Sequence, residues 1–474
     1  MKKIGIDAIS YYVPSIYLSI EKLSKHRSLD FQKLNKGLGL EKMSIADSNE
    51  DSCSFAANAL IDLFENNNIN PIEIGRIYMG TESALDGSKP SLTYATDIVE
   101  EYFKDEFGER CLKNCDITDI TFACIGGVDA LQNTLDWISR NPGKKAIVVS
   151  SDISKYELNS TGEYTQGAGA VALLISEDPS IISIDNTWGI ASKSENDFFK
   201  PRIKFNKKDL IEDIISNLKL NISNNDFRKI FEDSIFWNNK SEIIEVFRDE
   251  PVFDGQYSNQ CYEERMNEAF MDFKENKEID FLNDWSHIIF HLPYAFHGRR
   301  IIFNNWLNWL KGDSTYKDLL NEIGNEDEDL FLKKAYKSET YKKFITSKIA
   351  PGEKASSSIG NMYSASVFMS LLSMLNHHFI NGVDINTQKV GFITYGSGSK
   401  AKIFQGSIEK NWKNKIKGSN LFDSLNKRNE ISFKQYEDLH KSKDISPISY
   451  HGVRFSHIDM KCNSEGYRIY RINE

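Results

Sequence analysis

The chain has 474 residues, 40% apolar and 27% charged, which is ordinary globular composition with enough length for one or two cores. The net charge of -10 gives no electrostatic reason to expect nucleic acid or an anionic membrane as partner, and the six cysteines show neither a C-x-x-C pair nor zinc-ligand spacing. Because no signal peptide, membrane-spanning stretch or disulfide-dense pattern is evident, we expect a cytoplasmic protein.

Strand and helix patterns alternate along the first part of the chain. Strands are predicted at 3–10, 76–80, 145–151, 167–175 and 181–184, and helices at 19–26, 52–64 and 90–103. The run at 145–151 is continuously apolar, as in a strand that is buried on both faces. This alternation predicts an α/β fold with a central sheet.

The composition changes between residues 202 and 250. Lysine, asparagine, aspartate and glutamate dominate there, but apolar residues keep helical spacing, which predicts an inserted charged helical segment. Beyond it, helices are predicted at 261–273, 298–310, 314–347 and 364–379, and strands at 288–293, 390–395, 401–404 and 453–455. Small residues precede an apolar run at both 167–172 and 396–401, and this repeated pattern favours two similar halves.

Cys124 ends a short apolar run, two glycines follow, and helical spacing begins at Val128. Near a helix N-terminus the macrodipole and free backbone N–H groups favour a thiolate, and Gly126 and Gly127 would leave room for a substrate. This pattern predicts a nucleophile for acyl transfer. The structural alternative is that Cys124 is one more small buried residue.

Three further polar residues, Glu82, His291 and Asn361, lie at ends of predicted strands or in adjoining loops. A desolvated carboxylate can remove a proton from the carbon next to a thioester, and an imidazole and an amide can hold a carbonyl oxygen. Backbone N–H groups at Cys124 and in the 396–398 turn could form an oxyanion hole. The structural alternatives are a capping or ion-paired Glu82, a core His291 and a turn residue at Asn361.

Together and in this order, the motifs resemble the hydroxymethylglutaryl-CoA (HMG-CoA) synthase family of thiolase-like condensing enzymes. The matching segments, within residues 3–404, are Gly5–Asp7, Tyr12–Pro14, Gly80–Ser83, Ala123–Cys124, Gly162–Ala172, Phe198–Pro201, Asp254–Ser258, His291–Tyr294, Gly360–Tyr363 and Tyr395–Ser399. The resemblance implies a duplicated, layered αβαβα fold. Its expected divisions are an N-terminal half at 1–185, a connecting region at 186–290 and a C-terminal half at 291–474.

The resemblance also implies the chemistry. Acetyl-CoA, acetoacetyl-CoA and water would give HMG-CoA, a reaction of the mevalonate pathway, without a metal or redox cofactor and in a homodimer. Cys124 would carry the acetyl group, Glu82 would be the general acid/base and His291 would bind the acetoacetyl group. The resemblance implies substrate-binding roles for Tyr156, Thr165, Asn361 and Ser397. The basic pair Arg299 and Arg300 is added as a candidate because it could meet phosphates, although such a pair is usually a solvated face.

The chain departs from the family pattern in ways that leave alternatives open. About fifty residues separate two segments that are normally close together, and Phe296 and His297 occupy the region of a lysine that binds CoA phosphate, with Arg299 and Arg300 following. One alternative is a β-branching enzyme of polyketide biosynthesis that takes its substrates from acyl-carrier proteins. Another is a catalytically silent scaffold, against which the retained cysteine, glutamate and histidine argue.

Overall fold

A computed structural model describes residues 2–233, 242–324, 326–443, 445–448, 455–459 and 468–472. Within these ranges, no helix combines the length and apolar character needed to cross a lipid bilayer.

The strands alternate with helices along most of the described chain. They are β1 (Ile4–Tyr12), β2 (Ile16–Ser19), β3 (Lys42–Ile45), β4 (Ile74–Gly80), β5 (Asp116–Ile120), β6 (Lys145–Ser154), β7 (Gly167–Glu177), β8 (Ile182–Ser192), β9 (Phe198–Phe199), β10 (Arg202–Asn206), β11 (Ile243–Phe247), β12 (Val252–Phe253), β13 (His287–Phe290), β14 (Lys389–Gly396), β15 (Lys400–Ile408), β16 (Asn429–Glu430), β17 (Phe455–Asp459) and β18 (Arg468–Ile472).

The α-helices lie between these strands and concentrate in the second half. They are α1 (Ile20–Arg27), α2 (Ser52–Asn67), α3 (Ser91–Phe107), α4 (Gly126–Arg140), α5 (Lys207–Leu218), α6 (Asn224–Asp233), α7 (Gly255–Asn276), α8 (Phe281–Asp284), α9 (His297–Ile301), α10 (Phe303–Leu310), α11 (Tyr316–Ile323), α12 (Glu328–Lys337), α13 (Glu339–Lys348), α14 (Ala350–Ile359), α15 (Ser366–Ile380), α16 (Trp412–Ile416), α17 (Leu421–Asn426) and α18 (Phe433–His440).

One sheet of nine strands, in the order β13-β14-β15-β8-β1-β7-β6-β4-β5, carries a repeated arrangement. In one half β6 is antiparallel to β7 and parallel to β4; in the other, β14 is antiparallel to β15 and parallel to β13. The two glycine-containing stretches of the sequence lie at the start of β7 and at the β14–β15 turn, before the corresponding strand of each half. The predicted duplication is therefore present in the strand order.

Helices and strands form five layers: α2 and α3, the β1-β7-β6-β4-β5 part of the sheet, α4 and α15, the β13-β14-β15-β8 part, and α7. Three apolar cores lie between these layers. Alternate residues of β6 face opposite ways: Val148 packs in the central core with α4 and α15, whereas Ile147 and Val149 pack in an outer core with α2 and α3. A second outer core joins α7 to β14 and β15. The central helix α15 is buried on nearly every face from Ser366 to Asn376, as expected of a helix between two sheet faces.

The predicted divisions at 185 and 290 stay predictions. The first falls inside β8, which pairs with β15 along most of its length and with β1 at two residues. The second falls at the end of β13. The sheet is continuous across both points.

The charged segment is helical only in its middle. The helices α5 and α6 occur there, but its ends are the strands β10 and β11, which pair antiparallel from Arg202 opposite Phe247 to Asn206 opposite Ile243. The sequence of β10 fits a strand because Ile203 and Phe205 alternate with polar residues, a period of two. We call residues 202–250 the insertion. The strands that flank it in the sequence, β9 and β12, pair with each other and bring its two ends together.

Other predictions differ in their boundaries. The predicted single charged stretch at 314–347 is divided into α11, α12 and α13, and the strand before Cys124 ends at Ile120, so a short loop leads to the cysteine. Most of the strand predicted at 453–455 lies outside the described residues, which resume at Phe455 in β17.

Candidate active site

Cys124 lies in the tight connection between β5 and the first turn of α4. The backbone of Ala123 has φ +38°, which non-glycine residues rarely adopt, and the Ile125 N–H donates to the Phe122 carbonyl at 3.0 Å. The cysteine is only 9% exposed. The connection therefore fixes the Cys124 sulfur close to the N-terminus of α4.

The adjacent glycines serve packing rather than substrate access. A Cβ on Gly127 would lie 2.1 Å from the Ser150 Oγ, and a Cβ on Gly126 would lie 2.7 Å from the Ile120 carbonyl oxygen. The expectation that this pair leaves room for a substrate is wrong, because protein atoms occupy the space. The glycines instead let α4 approach the sheet closely.

Glu82 faces the nucleophile from the loop after β4. The Cys124 thiol donates to Glu82 Oε1 with a sulfur–oxygen distance of 3.3 Å, and the carboxylate side chain is 6% exposed. Burial raises the pKa of Glu82 to about 7, against a smaller lowering by the charge of Lys200. Near neutral pH this carboxyl group can both accept and return a proton.

The thiol is less acidic than the sequence predicts. Burial, and then the negative charge of Glu82, raise the pKa of Cys124 well above its ordinary value, and the opposite effect of Lys200 is smaller. The prediction of a resting thiolate is therefore wrong, since desolvation outweighs the favourable position near the helix N-terminus. The resting nucleophile is a neutral thiol hydrogen-bonded to its neighbouring carboxylate.

Lys200 is a site residue that the sequence analysis did not select. Its Nζ lies 3.8 Å from Glu82 Oε2, donates to the Glu82 backbone carbonyl at 3.2 Å and stands 5.0 Å from the centre of the Tyr363 ring. The available signal was its place in the Phe198–Pro201 segment. The side chain supplies a positive charge beside the Cys124–Glu82 pair.

Asp152, at the end of β6, is a second residue that the sequence analysis missed. Its Oδ1 accepts from the Glu82 N–H at 2.8 Å and from the Thr81 hydroxyl at 3.0 Å, and its Oδ2 accepts from the Ser364 N–H at 3.0 Å. Burial raises its pKa. This carboxylate joins the loop of Glu82 to a loop of the other half of the chain.

Aromatic rings enclose the thiol. Cys124 packs with Tyr156 and Tyr363, and Phe198 and Phe253 lie against them. The ring of Tyr156 is 5.1 Å from that of Phe253 and 6.4 Å from that of Tyr363. Tyr156 thus lies against the Cys124 thiol among other aromatic rings, and its role in an acyl pocket stays a prediction.

Thr165 and Asn361 meet beside this pocket. The Asn361 N–H donates to the Thr165 carbonyl at 2.9 Å, and the Asn361 Oδ1 accepts from the Tyr363 N–H at 2.8 Å. The Thr165 hydroxyl donates to the Gly162 carbonyl at 2.8 Å. The side-chain oxygen of Asn361 therefore holds a turn, and a contact of its amide N–H₂ group with a substrate oxygen stays a prediction.

His291 is buried and follows β13. Burial lowers its pKa to about 3, so the imidazole is neutral, and within the described chain its Nδ1 has no hydrogen-bond partner. The Tyr262 hydroxyl donates to the His291 carbonyl at 3.2 Å, and burial raises the pKa of that tyrosine well above its ordinary value. The ring of His297, another buried imidazole, has its centre 5.0 Å from that of Tyr262.

A cavity of about 430 Å³ opens beside the catalytic pair. Ser397 lines it together with Glu82 and Ala123. In the same turn the Gly398 N–H donates to Asp197 Oδ1 at 2.8 Å, so this donor holds the turn and is not available to an oxyanion.

Arg299 and Arg300 lie elsewhere. Arg299 donates to Glu353 Oε1 at 2.9 Å and covers the Phe296 ring, while Arg300 donates to the Gly37 carbonyl at 2.9 Å. Neither lines the 430 Å³ cavity. A substrate role for either arginine stays a prediction.

Comparison with protein-family models matches both halves of the chain. Residues 1–180 match the model for the N-terminal part of hydroxymethylglutaryl-coenzyme A synthase, and residues 241–455 match the model for its C-terminal part. The unmatched residues between them, 181–240, contain most of the insertion.

Curated proteins and solved structures agree with these models. The hydroxymethylglutaryl-CoA synthase of Haloferax volcanii is 29% identical over 93% of this chain and 92% of its own, and that of Enterococcus faecalis is 26% identical over 92% and 91%. The structure of MvaS in complex with 3-hydroxy-3-methylglutaryl coenzyme A has a TM-score of 0.76 and 26% identity, with both chains fully covered. The curacin pathway HMG synthase in complex with apo donor-ACP, with a TM-score of 0.69 at 21% identity over 97% and 92%, shares the fold.

The layered, duplicated fold and the matched models define a thiolase-like condensing enzyme, an acyltransferase. Within that class, the chain belongs to the hydroxymethylglutaryl-CoA synthase family.

Proposed function

We propose that this family member condenses acetyl-CoA with acetoacetyl-CoA and water to HMG-CoA, as a step of the mevalonate pathway. The observation that carries the proposal is the Cys124 thiol, 3.3 Å from a carboxyl group whose pKa burial raises to about 7. The complex of MvaS with 3-hydroxy-3-methylglutaryl coenzyme A and the HMG-CoA synthase structure in complex with CoA support CoA thioesters as the substrates.

Acetyl transfer comes first. Cys124 loses its proton, attacks the thioester carbonyl of acetyl-CoA and releases CoA as the thiol, which leaves an acetyl-cysteine. Glu82 is the nearest acceptor of the thiol proton. The aromatic rings around Tyr156 exclude water from the acetyl group.

Condensation uses the same carboxylate. Glu82 removes a proton from the acetyl methyl group, and the resulting carbanion adds to the C3 ketone of acetoacetyl-CoA. The buried neutral imidazole of His291 and the amide of Asn361 orient that ketone, and a proton from Glu82 completes the tertiary alcohol. Water then cleaves the enzyme thioester and frees HMG-CoA and Cys124. The expectation that no metal or redox cofactor takes part stays a prediction.

An acyl-carrier protein is the second candidate source of the thioester. The curacin enzyme binds a donor-ACP and has the same fold, and neither Arg299 nor Arg300 lines the cavity beside the catalytic pair. CoA is favoured because the two curated relatives named above, at 29% and 26% identity, are hydroxymethylglutaryl-CoA synthases.

The assembly rests on the family resemblance alone, and the location rests on the cysteine usage of the sequence. We propose a homodimer in the cytoplasm. Light scattering behind a sizing column would give about twice the mass of 54.3 kDa, and a monomer at micromolar concentration would contradict this.

Intact-mass spectrometry tests the reaction. Wild-type protein mixed with acetyl-CoA should gain one acetyl group, which should be lost as HMG-CoA accumulates after acetoacetyl-CoA is added. Cys124→Ser should gain no thioester adduct. An adduct formed from an acetylated carrier protein and not from acetyl-CoA would move the assignment to the carrier-dependent reaction, and no adduct from either donor would contradict both.

A further inference from the structure

The insertion forms one wall of the cavity beside the catalytic pair. Arg202, its first residue, and Phe247, at the end of β11, line the same 430 Å³ space as Glu82. A volume of this size falls within the roughly 300–1,000 Å³ of typical small-molecule sites. The insertion therefore contributes directly to this cavity, although its first part lies outside both family-model matches.

The position of Arg202 is set by strand pairing. Arg202 and Phe247 are directly opposed in the β10–β11 ladder, and the guanidinium lies 4.9 Å from the centre of the phenylalanine ring. Two ion pairs connect the C-terminal end of the insertion to the loop after β6: Lys155 pairs with Glu250 at 3.4 Å, and Arg248 pairs with Glu157. These ion pairs flank Tyr156 of the predicted acyl pocket, so the wall and the pocket are held together.

Among the residues that the structure describes, the Arg202 guanidinium has no anionic partner. In the described ranges, no carboxylate oxygen lies within 4.0 Å of Arg202, whereas Lys200, the other cation that lines the cavity, is paired with Glu82. The nearby carboxylate of Asp86 accepts from the N–H groups of Ser88 and Lys89, each at 2.7 Å. Arginine is suited to bidentate contact with a phosphate, and it is held here over an aromatic ring at the open part of the site.

We propose that Arg202, positioned by the insertion, binds the phosphate of the phosphopantetheine arm that carries the acyl thioester. The inference rests on the proposed function, which brings a thioester on such an arm to Cys124. Phe247, 60% exposed, and Phe199, 43% exposed, offer apolar surface to the arm as it leaves the cavity. The phosphate is common to CoA and to a carrier protein, so the same contact serves either source.

Acetylation kinetics with three donors test the contact. The donors are acetyl-CoA, S-acetyl-4′-phosphopantetheine, which keeps the one phosphate that a carrier protein also presents, and S-acetylpantetheine, which has none. Arg202→Gln should lower the second-order rate of Cys124 acetylation roughly ten- to hundredfold with the first two donors, the range for a charge-assisted hydrogen bond. With S-acetylpantetheine, wild type and variant should agree within about twofold.

Two further variants complete the design. Lys204→Ala removes a positive charge from the same strand two residues away, outside the cavity lining, and should leave all three rates unchanged. Arg202→Lys should recover part of the loss, because it keeps the charge and loses the bidentate fork. An acetylated carrier protein, compared with acetyl-CoA on wild type, identifies the preferred source.

Several outcomes would overturn the inference. An equal loss of acetylation rate with all three donors would make Arg202 a structural residue. A loss confined to acetyl-CoA would mean that Arg202 contacts the nucleotide part of CoA. If no donor acetylates wild type, the proposed function fails, and equilibrium binding of CoA and pantetheine still decides the contact. Arg202→Gln should then weaken CoA binding and leave pantetheine binding unchanged, and equal CoA affinities of wild type and variant would refute it.

Discussion

At the scale of single residues, the site combines a neutral thiol with a carboxyl group poised near neutral pH. Desolvation dominates both pKa values, and Lys200 opposes it at each group. The residue type of Glu82 could be read from the sequence, because its motif lies after a predicted strand. The pKa could not, because burial depends on the rings and strands of distant segments that surround the carboxylate.

Glu82→Ala separates the two chemical steps. The variant should still form acetyl-Cys124: the thiol loses its nearest proton acceptor, but it also loses the negative charge that raises its pKa, and the charge of Lys200 stays close by. Condensation should fall about 10²- to 10⁴-fold, the usual contribution of a general acid/base. Intact mass and HMG-CoA release measure the two steps, and loss of acetylation with intact condensation of preformed acetyl-enzyme would contradict the role assignment.

The pH dependence of condensation should follow Glu82. The base form is needed, and a carboxyl group with a pKa of about 7 is mostly protonated below that pH, so the rate should rise as pH increases through about 7. Lys200→Met removes a charge that lowers this pKa, so its profile should move about one pH unit higher, while Lys200→Arg should stay near wild type. Single-turnover reaction of acetyl-enzyme with acetoacetyl-CoA gives the profiles, and superimposable curves for Lys200→Met and wild type would refute the coupling.

At the scale of elements, the β4 and α4 backbones approach closely enough to exclude a side chain. A Cβ on Gly80 would lie 2.1 Å from the Gly127 nitrogen, at the helix start beside the nucleophile. The sequence displays these glycines and predicts a strand and a helix around them. It does not reveal that they face each other, because the contact joins residues forty-seven positions apart.

Gly80→Ala should therefore damage both stability and chemistry. The methyl group meets backbone rather than a flexible side chain, so α4 must shift, at a cost of about 1–3 kcal/mol in the free energy of unfolding and with slower acetylation. Denaturant unfolding and the acetylation rate provide the measurements. Gly418→Ala is the matched control, since its Cβ would meet nothing within 4 Å, and equal effects of the two changes would contradict the packing argument.

At the scale of the whole molecule, charged contacts join the two halves. Asp129 in the first turn of α4 pairs with both Lys400 and Lys402 of β15, the latter at 2.7 Å with its side chain only 8% exposed. The halves also share the central core between α4 and α15. The candidate site lies where they meet, since Cys124 of one half packs against Tyr363 of the other.

Asp129→Ala should destabilise the protein strongly. It leaves two partly buried ammonium groups without their carboxylate, and removing one partner of a buried ion pair costs about 3–5 kcal/mol. Glu101→Gln, which breaks an exposed pair with Lys104, should change the free energy of unfolding by less than about 1 kcal/mol. Chemical unfolding of both variants measures the difference, and a loss at Asp129 as small as that at Glu101 would show that the contact does not hold the halves together.

The sequence by itself determined the α/β class, the duplicated halves and the family, and it selected Cys124, Glu82 and His291 as candidates, because these depend on local periodicity and on short ordered motifs. Only the tertiary structure decided that the thiol is neutral, that Gly126 and Gly127 serve packing, and that Lys200 and Asp152 hold the acid/base loop. It also decided that the charged insertion begins and ends in strands and forms a wall of the cavity. These properties depend on burial and on distances between residues remote in the chain, which no local pattern encodes.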